Sequence, residues 1–348
     1  RGGETGAGMD ARGAEAGSVA GGLVGDTEGL VWGYRFQEDG QAEPLDPAAA
    51  MRALDAQEGW IWLHFDLVDN RVRNALSGRK SLPAEALDLL LGTEERQQLR
   101  AVDDVVAGVA ADFEHEGDLD PRQMVTWRFC MAPHAFISAR RRPLATVARV
   151  HDAVRAGRRF PDVLRLFDAI IHAYAAAMGE VSRSLAQRLD AIEDELLDSR
   201  ESGDYEELGS VRRRAVRLHR QALPLRAMLH HLIEERPAWF NDAAAEDCTR
   251  VAHRVDSLTA DLVALQERAR ALQDEMASRQ AEETNRRLML LSVISVLLLP
   301  PTLISGLFGM NVDGLPFKDN PHAFHLAVLV MVVCSGALLV LLRRLKMI

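Results

Sequence analysis

The sequence predicts an α/β domain followed by long helices and by two C-terminal membrane-spanning helices. Three observations support this fold class. Short segments rich in Val, Ile, Trp and Phe alternate with helix signals up to about residue 158. No Pro or Gly interrupts residues 242–299, and the chain of 348 residues closes with two uncharged apolar runs.

The N-terminal part is predicted to be a leader followed by the α/β domain. Residues 1–28 are rich in Gly and Ala and contain no apolar segment of the signal-peptide kind, so we expect a disordered leader, with Met9 as the natural start. The α/β domain is predicted over residues 29–158. Its strands are expected at four segments bounded by Gly, Asp and Pro: Leu30–Phe36, Trp60–Leu67, Val105–Phe113 and Thr126–Ala139.

Two helix starts are predicted inside this domain. Asp46 precedes Pro47, and Ser81 stands just before Pro83. A short side-chain acceptor followed by Pro is typical of an N-cap and a first helical turn. The second start should open a helix at residues 84–91.

Residues 159–241 are predicted to form a helical hairpin on the same side of the membrane as the α/β domain. One helix should run from Pro161 to about Ser199, and the next from Tyr205 to about Glu235. Pro224 lies inside the second helix and predicts a kink there.

Residues 242–287 are predicted to be a helical stalk with coiled-coil periodicity. Apolar residues recur at alternating steps of four and three, which is the pattern of a buried heptad seam. Because no helix breaker intervenes, the stalk should continue into the first apolar run as one helix of about 65 residues, or roughly 100 Å. We call the following residues the heptad seam: Val251, Val255, Leu258, Leu262, Leu265, Ala269, Leu272 and Met276.

The two apolar runs are predicted to span a membrane. Residues 288–309 and 324–342 contain no charged side chain, and each is about as long as the hydrocarbon core of a bilayer requires. Basic residues flank the pair at 286–287 and in the tail at 343–348, so the positive-inside rule places both chain ends in the cytoplasm. The loop 310–323 is then external. We expect a multi-pass protein of the inner or plasma membrane, in contact with lipid.

One face of the first span carries small and hydroxyl residues toward its outer end and leucines toward its inner end. Because two helices cannot enclose a path for water or ions, a transport role would require several copies of the chain. In a ring, this face would offer neutral oxygens and a hydrophobic constriction. The alternative is that Gly and Ser only permit close helix packing. We call the face the span stripe: Leu288, Leu291, Ser295, Leu299, Thr302, Gly306 and Gly309.

Composition and motifs exclude several functions. The formal net charge of −10 argues against a nucleic-acid partner. Cys130, Cys248 and Cys334 are too few and too scattered for a disulfide framework. The sequence contains no phosphate-binding loop or nucleophile motif, so we expect neither an enzyme nor a bound cofactor. A membrane-anchored coiled-coil scaffold without transport remains an alternative.

At Gly309-Met310-Asn311 the chain resembles a known family, the CorA-type metal-ion transporters. The triplet follows a Pro-containing span, precedes a second terminal span and lies beyond a long stalk, and the resemblance covers about residues 30–348. It implies a homopentameric funnel in which the first spans line the pore. It also implies a hydrophobic gate at Leu288 and Leu291.

The same resemblance assigns roles to further polar residues. Asn311 would be the ligand at the outer mouth, and Thr302 would form the next polar ring below it. Pro300 would kink the pore helix, and Asn285 and Asp274 would be polar positions in the stalk interior. Asp313, two residues after Asn311, could raise the local concentration of cations at the mouth by its charge.

The loop after the triplet is similar to that of the ZntB zinc-transporter branch. It reads Asn311-Val312-Asp313-Gly314-Leu315-Pro316 and lacks a run of glutamates, and Trp62-Leu63-His64-Phe65-Asp66 also resembles this branch. The branch implies Zn²⁺ uptake coupled to protons. Asp313 departs from the Gly expected there. Mg²⁺, Co²⁺ or Ni²⁺ transport is therefore the alternative.

A cytoplasmic metal site is also predicted from helix levels. If the three long helices pack as antiparallel neighbours, His172, His230, His231 and Cys248 fall at one height. His and Cys are the preferred ligands of Zn²⁺. The rotation of each helix is not fixed by counting, so the alternative is a core histidine, a surface pair and a buried thiol.

Overall fold

The computed structural model describes residues 29–57, 59–79, 81–115, 119–198, 205–310 and 322–344. The predicted leader and start residue lie outside this part of the chain. The chain divides into two compact units. The first unit gathers the residues up to 185 together with 214–263, and the second gathers 186–213 together with the residues from 264 onward.

The first unit contains a seven-stranded mixed sheet in the order β2-β1-β3-β7-β6-β5-β4. Neighbouring strands are antiparallel except β3 and β7, which run parallel with Ile61 opposite Ala135. The strands are β1 (Leu30–Phe36), β2 (Ala42–Pro44), β3 (Trp60–Asp66), β4 (Gln98–Val102), β5 (Val105–Phe113), β6 (Met124–Ala132) and β7 (Ala135–Arg140).

The predicted strand Thr126–Ala139 is wrong as a single element. It is the hairpin of β6 and β7, with Pro133 and His134 forming the turn. Pro has no N–H to donate to a ladder and therefore marks a break rather than a strand interior. The short strands β2 and β4 were not predicted because neither has an apolar alternation long enough to be recognised.

Four helices accompany the sheet, and only one of the two predicted N-caps is confirmed. The Asp46 Oδ1 accepts a hydrogen bond from the Ala49 N–H at 2.7 Å. The Ser81 cap is wrong, because the third helix begins after Pro83 without a side-chain cap and the Ser81 Oγ is buried without a partner. The helices are α1 (Pro47–Ala56), α2 (Arg71–Leu76), α3 (Ala84–Leu91) and α4 (Ala145–Arg155).

Strand β3, in the interior of the sheet, separates the two sides of the core by simple alternation. Ile61, Leu63 and Phe65 belong to a buried cluster with residues of α1 and α3. Trp62 and His64 point to the other face, where both side chains are fully buried. The domain therefore has an aliphatic layer on one face of the sheet and an aromatic layer on the other.

The aromatic layer contains a stack of one indole between two imidazoles, which we call the His–Trp stack. The Trp32 ring lies 4.0 Å from the His64 ring and 4.0 Å from the His151 ring, centroid to centroid, and nearly parallel to both. The Tyr34 hydroxyl lies 3.1 Å from the His151 Nε2. Strands β1 and β3 and helix α4 meet at this stack.

Ser138 is the hydrogen-bond partner of the buried His64 ring. The Ser138 Oγ donates to the Leu63 carbonyl and accepts from the Trp62 indole N–H at 2.9 Å. The His64 Nδ1 lies 2.7 Å from the same oxygen, and the other ring nitrogen is Nε2. That Nε2 is buried without a partner. Burial, followed by the charges of Arg140 and His151, lowers the pKa of His64 well below its usual value.

A second buried ionisable group, Asp112, binds the start of α4. Its carboxylate accepts hydrogen bonds from the backbone N–H groups of Phe113, Thr146 and Val147. Burial raises the pKa of Asp112 to about 6 despite these hydrogen bonds. The carboxylate thus satisfies donors that a helix N-terminus leaves unpaired.

Four long helices follow: α5 (Val163–Asp198), α6 (Tyr205–Glu234), α7 (Asp242–Phe308) and α8 (Ala323–Arg344). In the first unit, Arg165 forms an ion pair with Asp247, and Arg254 donates to His172. The two residues of each pair are 82 positions apart in the sequence. Because this separation is the same for both pairs, α5 and α7 run in the same direction. In the second unit, the Arg279 guanidinium donates to the Leu196 carbonyl at 2.7 Å, which continues the pairing.

Helix α7 confirms the predicted continuity of the stalk with the first apolar run. It extends over 67 residues, and all members of the heptad seam are buried. Every residue from 277 to 292 is exposed. The seam therefore ends at Met276, and the later part of α7 has no such packing in the single chain.

Candidate functional site

The C-terminal helices expose an unusual amount of apolar surface. The last part of α7 and the whole of α8 are long and apolar enough to cross a membrane, with mean hydropathies of 2.2 and 2.6 over 18 residues. Almost none of this surface is buried in the single chain. A soluble monomer rarely exposes a patch of this size, so lipid or further copies of the chain must cover it.

Each of the two helices packs one stripe against the other. The Ser335 hydroxyl of α8 donates to the Leu297 carbonyl of α7 at 3.4 Å. The side chains of α7 with reduced exposure are Val293, Leu297, Pro300, Pro301 and Ile304. Those of α8 are Ala327, Met331, Ser335, Leu338, Leu339 and Leu342.

The span stripe lies on the opposite side of α7 from α8. At about 100° per residue, its residues centre roughly 170° away from the stripe that contacts α8. All seven residues are exposed, including Leu288 at 56% and Leu291 at 61%. The face of α7 that carries the hydroxyls and leucines is therefore left open by the chain itself.

The hydroxyls on this face present acceptor oxygens outward. The Ser295 Oγ donates to the Leu291 carbonyl at 2.9 Å, and the Thr302 Oγ1 lies 2.9 Å from the carbonyls of Leu298 and Leu299. Because each hydroxyl proton is directed to its own helix, the oxygen lone pairs remain available. Oxygens of this kind can replace water around a cation.

A pair of prolines in the middle of the span gives α8 a specific partner. Pro301 has no N–H, so the Leu297 carbonyl four residues earlier loses its helical hydrogen bond. The Ser335 hydroxyl donates to that carbonyl. Sequence reasoning missed this contact, although a hydroxyl within the apolar α8 run was a usable signal, since polar groups in a span require partners.

The outer end of α7 is described only as far as Met310. The Gly309 N–H donates to the Ser305 carbonyl at 2.9 Å, and the helix ends at Phe308. Asn311 and Asp313 lie outside the described residues. Their predicted roles at the mouth therefore stay predictions.

The two predicted polar positions of the stalk are both exposed. Asp274 lies two residues after the buried Leu272, which places it about 200° around the helix from the heptad seam. Asn285 lies in the fully exposed part of α7. Neither position touches the seam, and their predicted inward orientation in an assembly stays a prediction.

The structure does not bring the predicted cytoplasmic metal ligands together. His172 lies beside Arg254, whose guanidinium donates to the His172 Nε2 at 3.0 Å. Cys248 is therefore about six residues, or roughly 9 Å, away along α7. Residue counting failed because the turns between the helices allow them to shift along their axes by more than one turn.

The remaining predicted ligands have other partners. His230 lies 3.8 Å from an Asp256 carboxylate oxygen, and His231 lies 3.5 Å from Glu235. Burial and the Asp168 charge raise the pKa of the Cys248 thiol to about 12, so it is a poor source of thiolate. Among the described residues, no three His, Cys, Asp or Glu side chains are grouped so that they could hold a metal ion.

Comparisons with known proteins are consistent with this geometry. A family model described as "CorA-like Mg2+ transporter protein" matches residues 57–344. The divalent cation transporter CmaX of Pseudomonas aeruginosa is 29% identical over 314 residues, which cover 88% of this chain and 93% of that protein. The zinc transport protein ZntB of Yersinia enterocolitica is 25% identical over 303 residues, which cover 87% and 91%.

Solved structures show the same fold. The structure of full-length CmaX matches with a TM-score of 0.80 at 28% identity and covers 93% of this chain and all of that one. The CorA magnesium transporter of Methanocaldococcus jannaschii matches with a TM-score of 0.73 at 17% identity, with 90% of this chain covered and 97% of that one. At that lower identity, the second match shows the fold alone.

Proposed function

The chain belongs to the CorA-like Mg²⁺ transporter family, whose model spans residues 57–344, and we propose that it carries a divalent cation, most favourably Zn²⁺, across the inner or plasma membrane. This is a transporter family rather than an enzyme family. The single observation that supports a conducting role best is the position of the span stripe. It is the exposed, hydroxyl-bearing face of α7 and lies opposite the face that packs on α8.

The proposed path is formed by several copies of α7. If each copy keeps α8 on its outer side, the span stripes meet at the centre and α8 faces lipid. Thr302 and Ser295 then supply neutral oxygens, and Leu288 and Leu291 supply a hydrophobic constriction below them. The family resemblance favours five copies, with Asn311 and Asp313 at the outer mouth.

The proposed direction is uptake into the cytoplasm, which follows from the ZntB resemblance, and the proposed orientation follows from the charges that flank the spans. The basic residues at 286–287 and 343–344 flank the spans on one side, which the positive-inside rule assigns to the cytoplasm. The α/β domain and both chain ends then lie inside. Coupling to protons is part of the proposal because it follows from the ZntB resemblance.

The choice of Zn²⁺ rests on relatives and on the loop. Zinc transport proteins of the ZntB type are among the relatives, and the Gly314-Leu315-Pro316 loop resembles that branch. Mg²⁺ is the second candidate, and one observation favours it. The described polar groups of the span stripe are oxygens, which suit Mg²⁺ better than the nitrogen and sulfur ligands that Zn²⁺ prefers.

Ion uptake into proteoliposomes that contain the purified full chain tests the proposal. We expect Zn²⁺ uptake to exceed Mg²⁺, Co²⁺ and Ni²⁺ uptake, and to increase when the pH outside is lower than inside. Uptake of Mg²⁺ without Zn²⁺ would overturn the choice of ion while keeping the transporter.

A matched variant separates transport from a scaffold role. Asn311→Ala should abolish selective uptake, whereas Glu43→Gln, an exposed change on β2, should leave it unchanged. If neither wild type nor variant moves any of the four ions above protein-free vesicles, the chain is a membrane-anchored scaffold.

A further inference from the structure

The α/β domain contains a cavity of ≈420 Å³ that the transport proposal does not use. It lies where α1 ends and α3 begins, beside the β4–β5 turn and the β6–β7 turn. Its volume falls within the range of small-molecule sites in proteins. The described residues that line it all belong to the first unit.

The inner wall of the cavity is apolar. Leu54, Leu82 and Ile137 contribute aliphatic surface, and all three are buried. Cys130 also lines it, but its thiol donates to the Ala86 carbonyl, and burial raises its pKa far above the ordinary value. The thiol is therefore protonated and chemically inert, and this wall suits the apolar body of a ligand.

The mouth of the cavity carries hydrogen-bond acceptors and negative charge. Asp103 and Asp104 form the β4–β5 turn, and both are exposed at the rim. The His134 Nδ1 lies 3.1 Å from the Gly59 carbonyl, so it donates there and leaves Nε2 as an acceptor when the ring is neutral. The Ser81 Oγ is buried at the same site without any partner.

The acidic turn is held in place from outside the sheet. The Trp239 indole N–H donates to the Asp104 carbonyl at 2.8 Å. Asp103 adopts a left-handed backbone conformation with φ of 52°, which a two-residue hairpin turn requires. The two carboxylates are therefore presented by a fixed turn rather than by a free loop.

We propose that this cavity binds a small organic cation, with an apolar body against the inner wall and an amine or amidine group at the acidic mouth. Among the described residues that line it, none is Lys or Arg. The acceptors Asp103, Asp104 and His134 match a donor-rich cationic head. Among the described lining residues, the charges that an anion of the same size would meet are the two carboxylates.

Three near-isosteric probes test the charge preference on the purified full chain in detergent. Benzamidine is a cation, benzamide is neutral and benzoate is an anion, and all three have the same aromatic body. By calorimetric titration, with empty micelles as the blank, we expect benzamidine to bind at least tenfold more tightly than benzamide and benzoate not to bind. Equal binding of the three probes, or a preference for benzoate, overturns the proposal.

Variants locate the binding. The double variant Asp103→Asn/Asp104→Asn should weaken benzamidine binding at least fivefold, and both changes are at exposed positions that tolerate an amide. Glu43→Gln, an exposed acidic residue away from the cavity, should leave binding unchanged. If the double variant binds benzamidine as tightly as wild type, the proposed mouth is wrong. None of these measurements depends on ion transport.

Discussion

At the scale of single residues, the structure shows polar groups whose chemistry is set by burial. His64 is fully buried, stacked on Trp32 and hydrogen-bonded to Ser138. Protonation would place a charge on a fully buried ring, at a cost that grows in a low-dielectric interior. The α/β domain therefore excludes a proton that the unfolded chain would bind.

This exclusion predicts a loss of stability in acid. The pKa of His64 is lower in the folded than in the unfolded chain, so its contribution is present above pH ~6.5 and is lost as the pH falls. The free energy of unfolding should fall by up to about 1.4 kcal/mol per pH unit below that value. Urea denaturation followed by tryptophan fluorescence, on the full chain in detergent at several pH values, measures the slope.

The His64→Gln variant isolates this effect. Asp112, with a pKa of about 6, acts in the opposite sense, since its contribution is lost as the pH rises. A comparison of slopes between wild type and variant cancels it. The variant should show a shallower slope between pH 6.5 and 5, whereas Val31→Ala, an exposed change on β1, should keep the wild-type slope. Equal slopes in wild type and His64→Gln would contradict the prediction.

The Thr302 hydroxyl predicts a second effect at this scale. Thr302→Val keeps the shape of the side chain but removes the outward lone pairs, so ion uptake should fall about tenfold if the oxygen contributes ~1.4 kcal/mol to ion binding. Thr302→Ser retains the oxygen and should retain uptake. Ser305→Ala, on the same helix but off the span stripe, is the control. Normal flux through Thr302→Val would remove Thr302 from the proposed path.

At the scale of elements, the pairing of α7 with α8 depends on a backbone group that a proline has freed. The Leu297 carbonyl, unpaired because of Pro301, receives the Ser335 hydroxyl. In the hydrocarbon core of a membrane, no water is present to donate a hydrogen bond to a carbonyl that lacks a protein partner. This hydroxyl thus adds a specific hydrogen bond to the packing of α8 against α7.

A double-mutant cycle tests this dependence. Ser335→Ala should destabilise the folded chain by about 0.5–2 kcal/mol, measured by thermal unfolding in detergent, because the carbonyl loses its donor. In a Pro301→Ala background, the restored N–H supplies the donor, so the same Ser335→Ala change should cost almost nothing. Cys334→Ala serves as the neighbouring control. Identical costs in the two backgrounds would show that the contact is not made.

The elements also show what the sequence could and could not predict. The heptad seam and the continuous α7 were predictable, because a periodic apolar pattern without breakers has one low-energy solution. The β6–β7 hairpin was missed because the apolar run continues on both sides of its two-residue turn, although Pro133 in that turn marked the break. The prediction that His172 and Cys248 lie at the same height failed for a different reason. A residue count does not fix how far one helix is displaced along its axis relative to the next.

The candidate site was only partly predictable. The span stripe followed from the helical repeat alone, and its exposed position opposite α8 agrees with the periodicity argument. The Ser335 contact required knowing which residue of α8 meets Leu297, and that depends on helix rotation. The acidic cavity of the α/β domain combines residues from four distant segments, whose meeting only the tertiary fold determines.

At the scale of the whole molecule, the open span stripe predicts an assembly. The exposed face requires further copies and the family resemblance favours five, so we expect native mass spectrometry in mild detergent to show a species of five times the mass of one chain. In a Cys334→Ser background, Leu291→Cys should cross-link between copies under mild oxidation, whereas Val332→Cys on α8 should not. A monomer or dimer, or cross-linking only through position 332, would contradict the arrangement.

The parallel pairing of β3 with β7 also bears on how the chain is made. Ile61 pairs with Ala135, which is far away in the sequence. Strands β3 and β7 can therefore pair only after the chain has been synthesised as far as β7. All seven strands are nevertheless complete by Arg140, long before Leu288 opens the first apolar run. During synthesis, the sheet can therefore assemble beside the ribosome before any apolar span emerges, which keeps its unpaired edges from meeting exposed membrane segments.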